Sequence, residues 1–411
     1  MRILHSSDWH LGQNLLGKSR KDEHDAFLDW LIETMNEEEV DVLLVSGDIF
    51  DNATPPNYAL EAYYNFLRRV PDTKCRTVVI TGGNHDSIAT LHAPRELLKY
   101  FQVHVIGGGL SLEEEIIIIY GDKGQAIGII CAVPYLRERD VRKSVAGESY
   151  EDKGKAYAAG VARHYSDVWN LAVEMRIEHT GAENIPICAM GHLFIRGGIC
   201  SDSVREHFVG SLGQISPEVF PQGFDYVALG HLHRSQTVSN IDHIRYSGSP
   251  IALSFSEKAT EKKVILVDLY ERTKDIREIT VPERQSLDVV SGELSEIQKA
   301  LKRISPNGKK PVWIEVLVRS DEWIPDLQGK IMAFADKEAV EILAIRYDRE
   351  DRSRMLTESI QGETLDDLSP ENVFDRLLEQ EFRGDSVSGK EIRHLFLEIY
   401  NKIQSENEET S

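Results

Sequence analysis

A repeated pairing of a short apolar run with a polar cluster just beyond it restricts the fold of this chain most. Arg2–His5 precedes Asp8-Trp9-His10, and Val40–Ser46 precedes Gly47-Asp48-Ile49-Phe50-Asp51. Arg76–Thr81 precedes Gly83-Asn84-His85-Asp86, Ile185–Met190 precedes Gly191-His192, and Tyr226–Leu229 precedes Gly230-His231-Leu232-His233. The runs are short and rich in Ile and Val, so they read as strands. Stretches with apolar residues at helical spacing, Glu23–Glu38, Tyr58–Arg69 and Gly154–Glu178, lie between them. This alternation predicts an α/β layered fold whose polar clusters converge at strand ends. Ile116–Tyr120 and Ala126–Val133 add further strands. His243–Tyr246 and Lys263–Leu269 follow without intervening helices, which predicts a second, partly antiparallel sheet.

The clusters carry the donor types that two adjacent divalent metals require. Asp8 and His10 are two apart, and in extended chain their side chains point to the same side and can ligate one ion. Gly47 permits the tight turn that exposes Asp48, whose two oxygens can bridge two metals. Asp51 is expected to brace that turn or a ligand histidine. Asn84 offers a hard neutral oxygen, and His85 is left to face a substrate, where an imidazole stabilises developing charge or protonates a leaving alkoxide. His192 follows a strand directly, and His231 and His233 flank a Leu232 that points the other way. Imidazole, carboxylate and carboxamide together suit Mn, Fe or Zn better than Mg or Ca. Two such ions about 3.5–4 Å apart activate water and polarise a phosphoryl group. Histidines outside the clusters, such as His5, His24, His92 and His164, are expected in packing or surface roles.

With 411 residues, the chain is long enough for two or three domains. No apolar run approaches the roughly 20 residues that span a bilayer. Met1–His5 reads as a strand and not as a signal-peptide core, and Cys75, Cys131, Cys188 and Cys200 are scattered, so a reducing cytoplasm is expected. The formal net charge of −21 excludes a general electrostatic grip on nucleic acid. A nucleic-acid substrate would need local basic residues, the metals or a partner. Arg137, Arg139, Arg142, Lys143, Lys258, Lys262 and Lys263 are the local candidates. No nucleotide-binding loop occurs, so any ATP dependence must come from another polypeptide.

A break near Val281-Pro282-Glu283 precedes a strand–helix–strand–helix–strand unit with helices at Glu293–Lys302 and Asp326–Phe334 and strands at Val312–Val318 and Val340–Tyr347. The domains expected are 1–281, 282–352 and a helical segment 366–411. In the last, Ser369-Pro370-Glu371 is a helix start, and Ile392, Leu395, Phe396, Ile399 and Ile403 line one face of a second helix. Such a pair either docks on the chain's own body or grips a partner helix.

The five clusters resemble those of the calcineurin-like metallophosphoesterase superfamily. Met1–Asn14, Val45–Pro56, Gly82–Leu91 and Tyr246–Phe255 further resemble the SbcD family of bacterial nuclease subunits. The resemblance implies a two-sheet metallophosphoesterase sandwich flanked by helices, a small α+β capping domain and C-terminal helices. It implies one metal held by Asp8, His10, Asp48 and His233, a second held by Asp48, Asn84, His192 and His231, and His85 as the catalytic histidine. The implied ions are manganese. The implied activities are 3′ to 5′ exonuclease on duplex DNA and endonuclease on single strands and hairpins, in DNA repair, recombination and replication. The implied partner is an SbcC-type ATPase with long coiled coils, in a heterotetramer built on a homodimer of this subunit. Helices Pro370–Phe382 and Gly389–Gln404 would dock that partner. A small-molecule phosphodiesterase or protein phosphatase is the alternative on the same scaffold, since one ligand set serves many substrates.

Overall fold

Apolar runs buried on both faces build the centre of the molecule. The computed structural model of the chain describes residues 1–143, 147–180, 184–196, 198, 215–270, 273–305, 310–320, 324–336, 338–347, 374, 393, 395 and 396. Its strands in chain order are β1 (Arg2–Ser6), β2 (Asn14–Leu15), β3 (Lys18–Ser19), β4 (Val42–Ser46), β5 (Thr77–Thr81), β6 (Val103–Ile106), β7 (Ile116–Tyr120) and β8 (Ala126–Ala132). They continue with β9 (Ile187–His192), β10 (Tyr226–Gly230), β11 (Gln236–Val238), β12 (Ile241–Tyr246), β13 (Lys263–Tyr270), β14 (Thr273–Thr280), β15 (Leu287–Gly292), β16 (Val312–Val318) and β17 (Val340–Tyr347). One six-stranded sheet has the order β14-β13-β1-β4-β5-β6, and a second has the order β11-β12-β10-β9-β8-β7.

The two sheets stack face to face. Alternate residues of β4 show how: Val42 and Leu44 join the layer between the sheets, while Leu43 and Val45 join the layer outside. The inner layer also takes Ile3, Val79 and Val267 from the first sheet and Ile130, Met190 and Ala228 from the second. Helices Lys21–Glu37 and Asn57–Arg69 cover the outer face of the first sheet through Leu28, Leu31, Phe66 and Leu67. Helix Tyr150–Thr180 covers the second through Val161, Tyr165, Val168 and Ala172. Strands covered on both faces lose the polar alternation of half-exposed ones, which is why they read as continuous apolar runs. The cysteines Cys75, Cys131 and Cys188 are buried free thiols, and Cys200 lies outside the described residues.

The expected second, partly antiparallel sheet is present, but only one of the two later strands assigned to it lies there. β12 pairs parallel with β10 in the second sheet, whereas β13 pairs antiparallel with β1 in the first. β13 is apolar on both faces, with Ile265 and Val267 turned inward and Val264 and Leu266 outward, so it extends the central sheet.

β15, β16 and β17 form a separate three-stranded sheet, with helices Leu294–Leu301 and Leu327–Met332 in the two connections. Leu287 and Trp313 of this sheet pack with Leu15 and Phe255 of the main body. The Arg20 guanidinium sits 5.7 Å from the Trp313 ring, and Lys258 pairs with Asp288 at 2.6 Å. Residues 347–411 are a second compact unit, in which the Phe374 and Phe396 rings stack at 3.8 Å. The rest of the expected helices Pro370–Phe382 and Gly389–Gln404, beyond helical Phe374, Arg393, Leu395 and Phe396, lies outside the described residues.

Candidate metal centre

The parallel strands β1, β4, β5, β9 and β10 point their C-terminal ends the same way within each sheet, and each of these ends delivers a cluster. β1 stops at Ser6, however, so Asp8 and His10 are not in extended chain as their spacing predicts. Both have left-handed backbone, with φ of 51° and 46°, as do Asp48 at 51° and His231 at 98°. The loops after β1 and β4 run side by side: Asp8 N–H donates to Gly47 O at 3.0 Å and His10 N–H to Asp48 O at 3.0 Å. Left-handed turns place the Asp8 and His10 side chains together by a route that strand periodicity does not describe.

All seven predicted ligands converge. Ligand atoms of Asp8, His10 and His233 lie within 4.8 Å of one another, and those of Asp48, His192 and His231 do the same. Asp48 joins the two groups, its Oδ2 being 3.6 Å from His10 Nε2 and 3.2 Å from His192 Nε2. Asn84 Oδ1 completes the second group, 3.0 Å from His192 Nε2 and 3.1 Å from His231 Nδ1. The packing leaves no room for a side chain at Gly83, where a Cβ would stand 2.1 Å from Asp48 Oδ1. His85 packs edge-on to His10, ring centroids 4.9 Å apart, and its Nδ1 is 2.7 Å from the Asp51 carbonyl oxygen.

The donor set fits a pair of divalent ions. His10 Nε2 is a buried nitrogen with no hydrogen-bond partner, an orphan that a cation would satisfy. Four imidazoles, two carboxylates and one carboxamide form a mixed set of the kind that binds Mn, Fe or Zn. Second contacts fix the rings: His192 Nδ1 donates to Ser46 O at 2.9 Å, and His10 Nδ1 faces Asp51 Oδ1 at 3.3 Å. Glu257 Oε1 lies 3.2 Å from His233 Nδ1. Such outer partners orient metal-binding imidazoles.

Opposed charges face one another within the cluster. Burial resists charge on Asp48, but the imidazoles of His192, His10 and His85 outweigh it and hold the carboxyl well below the ordinary range. Burial likewise opposes a proton on His192, yet the adjacent Asp48 raises its pKa to about 9. Burial and then the charge on His192 push His231 down to about 3. Asp86 ties the loops together, accepting from the N–H groups of Ile49 at 3.1 Å, Phe50 at 3.0 Å and Gly83 at 2.9 Å.

Glu257 and Ser46 support the site without a sequence signal that marks them, whereas Asp86 closes the Gly83-Asn84-His85-Asp86 cluster. Four of the candidate phosphate-contacting residues have carboxylate partners within the chain. The Lys262 side chain is turned inward and bonds Glu257 at 2.6 Å, while Lys258 pairs with Asp288 and Lys263 with Glu278 at 2.8 Å. Arg142 is likewise paired, with Glu138 and Glu148. Outlying histidines do pack: His5 Nδ1 meets Tyr226 OH at 2.9 Å, and His164 meets Glu115 at 2.7 Å.

Known proteins resemble this chain over nearly its whole length. A family model described as calcineurin-like phosphoesterase matches residues 1–235, and one described as type 5 capsule protein repressor C-terminal domain matches residues 283–382. The chain is 38% identical over 410 residues to the D subunit of nuclease SbcCD from Escherichia coli (strain K12), covering 99% of this chain and 100% of that protein. It is 30% identical over 422 residues to the Bacillus subtilis (strain 168) protein of the same name, again covering 99% and 100%. The Rhodobacter capsulatus counterpart is 38% identical over 280 residues, 66% of each chain. The chain therefore belongs to the calcineurin-like phosphoesterases and, within them, to the SbcD nuclease subunits.

Proposed function

We propose that this chain is a metal-dependent DNA nuclease acting as the SbcD component of an SbcC–SbcD-type complex. The reading is carried by the convergence of seven ligand-type side chains at the strand ends of both sheets. Asp8, His10, Asp48 and His233 would hold one ion, and Asp48, Asn84, His192 and His231 the other; the mixed donor set suits Mn, Fe or Zn, and manganese is the ion that the family resemblance implies. When bound, the ions supply Lewis acidity at the phosphate and an activated water for in-line attack.

The chain's own residues set the geometry. Asp48 Oδ2 faces both groups, while its Oδ1 accepts the His85 N–H at 3.0 Å, tying the catalytic loop to the shared ligand. His85 is anchored at Nδ1 by the Asp51 carbonyl, which turns Nε2 the other way. That nitrogen protonates the leaving oxygen or stabilises the charge that develops on it.

Duplex ends, single strands and hairpins are the substrates, cut as a 3′ to 5′ exonuclease and an endonuclease. A net charge of −21 repels DNA at long range, so an SbcC-type ATPase supplies the grip and the nuclease site supplies the cut. The domain 282–352 caps the site, the segment 366–411 docks the ATPase, and exposed Leu97, Tyr100 and Phe101 support a homodimer. Among the described residues no helix is long and apolar enough to cross a membrane. The complex works in the cytoplasm.

The test is cleavage of a labelled DNA hairpin with Mn²⁺, by the wild type and His85→Ala, alone and with the ATPase partner. The expected result is Mn²⁺-dependent cutting that falls roughly 10²–10⁴-fold in the variant, the usual range for a general acid–base group. Intact DNA alongside hydrolysis of a small phosphodiester would replace the nuclease assignment with the phosphodiesterase alternative.

A further inference from the structure

His233 is held by a closed ring of contacts that the hydrolytic chemistry does not itself require. Its Nδ1 lies 3.2 Å from Glu257 Oε1. The other carboxylate oxygen of Glu257 accepts from Lys262 Nζ at 2.6 Å, from Leu253 N–H at 3.2 Å and from Ser249 Oγ at 3.5 Å. Lys262 Nζ returns to the same histidine, donating to the His233 carbonyl at 3.1 Å, and also to Ser249 Oγ at 2.8 Å. Side chain and backbone of one ligand residue are thus fixed by one enclosed ion pair.

That pair is costly where it stands. The Glu257 and Lys262 side chains are 2% and 9% exposed, and removing both charges from water costs several kcal/mol for each ion. Apolar residues of the same volume would stabilise such a site as well or better. Lys262 is also turned inward onto these acceptors, which removes it from contact with a substrate phosphate. Stability alone therefore does not account for the ring.

We propose that Glu257, clamped by Lys262, is a positioning residue that keeps the proton of His233 on Nδ1 and presents Nε2 to the ion of the Asp8–His10–His233 group. The inference rests on the metal-centre reading above. A carboxylate acceptor fixes tautomer and ring orientation and makes the opposite nitrogen a better donor to the metal. His10 Nδ1 instead faces Asp51 at 3.3 Å and His192 donates to the Ser46 carbonyl, so Glu257 acts on one ion only.

The experiment is a Mn²⁺ titration followed by electron paramagnetic resonance, on the wild type and on the double variant Glu257→Gln, Lys262→Met. This variant removes both charges with little change of volume, and circular dichroism checks that it folds. In the wild type two ions bind and give a spin-coupled signal. In the variant the affinity for one ion is expected to fall roughly 10–100-fold, the usual effect of losing such a partner. At two equivalents the coupled signal then gives way to an uncoupled one. A folded variant that loads a coupled pair with wild-type affinity overturns the inference and leaves the metal centre standing. A wild type that binds no pair overturns the metal centre itself. If the variant does not fold, ¹⁵N NMR of the histidines in zinc-loaded wild type decides: His233 protonated at Nδ1 supports the inference, and protonation at Nε2 overturns it.

Discussion

Four of the candidate ligand residues, Asp8, His10, Asp48 and His231, are not glycine and yet have positive φ. Each such backbone costs on the order of 1–3 kcal/mol. The strands that hold these turns are buried on both faces, and each Val, Leu or Ile among them contributes roughly 1.5–3 kcal/mol. The core therefore outweighs the strain. The residues that converge at the candidate site were legible because Asp, Asn and His recur after apolar runs. Their backbone was not, since Asp8-Trp9-His10 reads equally well as extended chain. Glu257 was invisible for another reason: its link to His233 exists only in three dimensions.

His5 gives a test at the same scale. It is fully buried against Tyr226, and burial pushes its pKa from 6.5 down to about 3. The unfolded chain takes up the proton first, so the stability gained from a neutral His5 is complete above pH 6.5 and is lost as pH falls towards 3. Between pH 6.5 and pH 5 the loss is about 2 kcal/mol, at about 1.4 kcal/mol per pH unit. Urea unfolding of metal-free protein across this range should show a correspondingly shallower pH slope in His5→Gln. An unchanged slope would mean that His5 is not buried neutral.

Among the elements, legibility followed burial. β4 and β5 are apolar on both faces and were plain in the sequence, whereas β6 is four residues interrupted by His104, and β14 is exposed along most of its length. Sheet membership was beyond local pattern, because β13 pairs with β1 in the register Arg2 to Asp268 across most of the main body's sequence. Trp313 is the largest side chain in the seam between the small sheet and the main body, clustered with Phe255 and Leu15 and beneath Arg20. Trp313→Ala should weaken that seam by about 3–5 kcal/mol, as large aromatic truncations in cores do. Limited proteolysis between β14 and β15 should then cut the variant faster than the wild type. Equal cleavage rates would show that the seam does not depend on this side chain.

At the scale of the whole molecule, neither sheet carries a complete site. The first supplies Asp8, His10, Asp48 and Asn84, and the second supplies His192, His231 and His233. Contacts across the sandwich, such as Ser46 Oγ to Ala228 O at 3.0 Å and His231 N–H to Asp8 Oδ1 at 2.8 Å, hold the halves in register. Chemistry thus depends on the stacking of two sheets drawn from distant parts of the chain, with a third, smaller sheet beside them. The most direct measurement is an anomalous difference map from crystals grown with Mn²⁺. Two peaks about 3.5–4 Å apart with the Asp48 carboxylate between them are predicted, the spacing of a two-metal phosphoesterase. A single peak, or none among these seven side chains, would contradict the account.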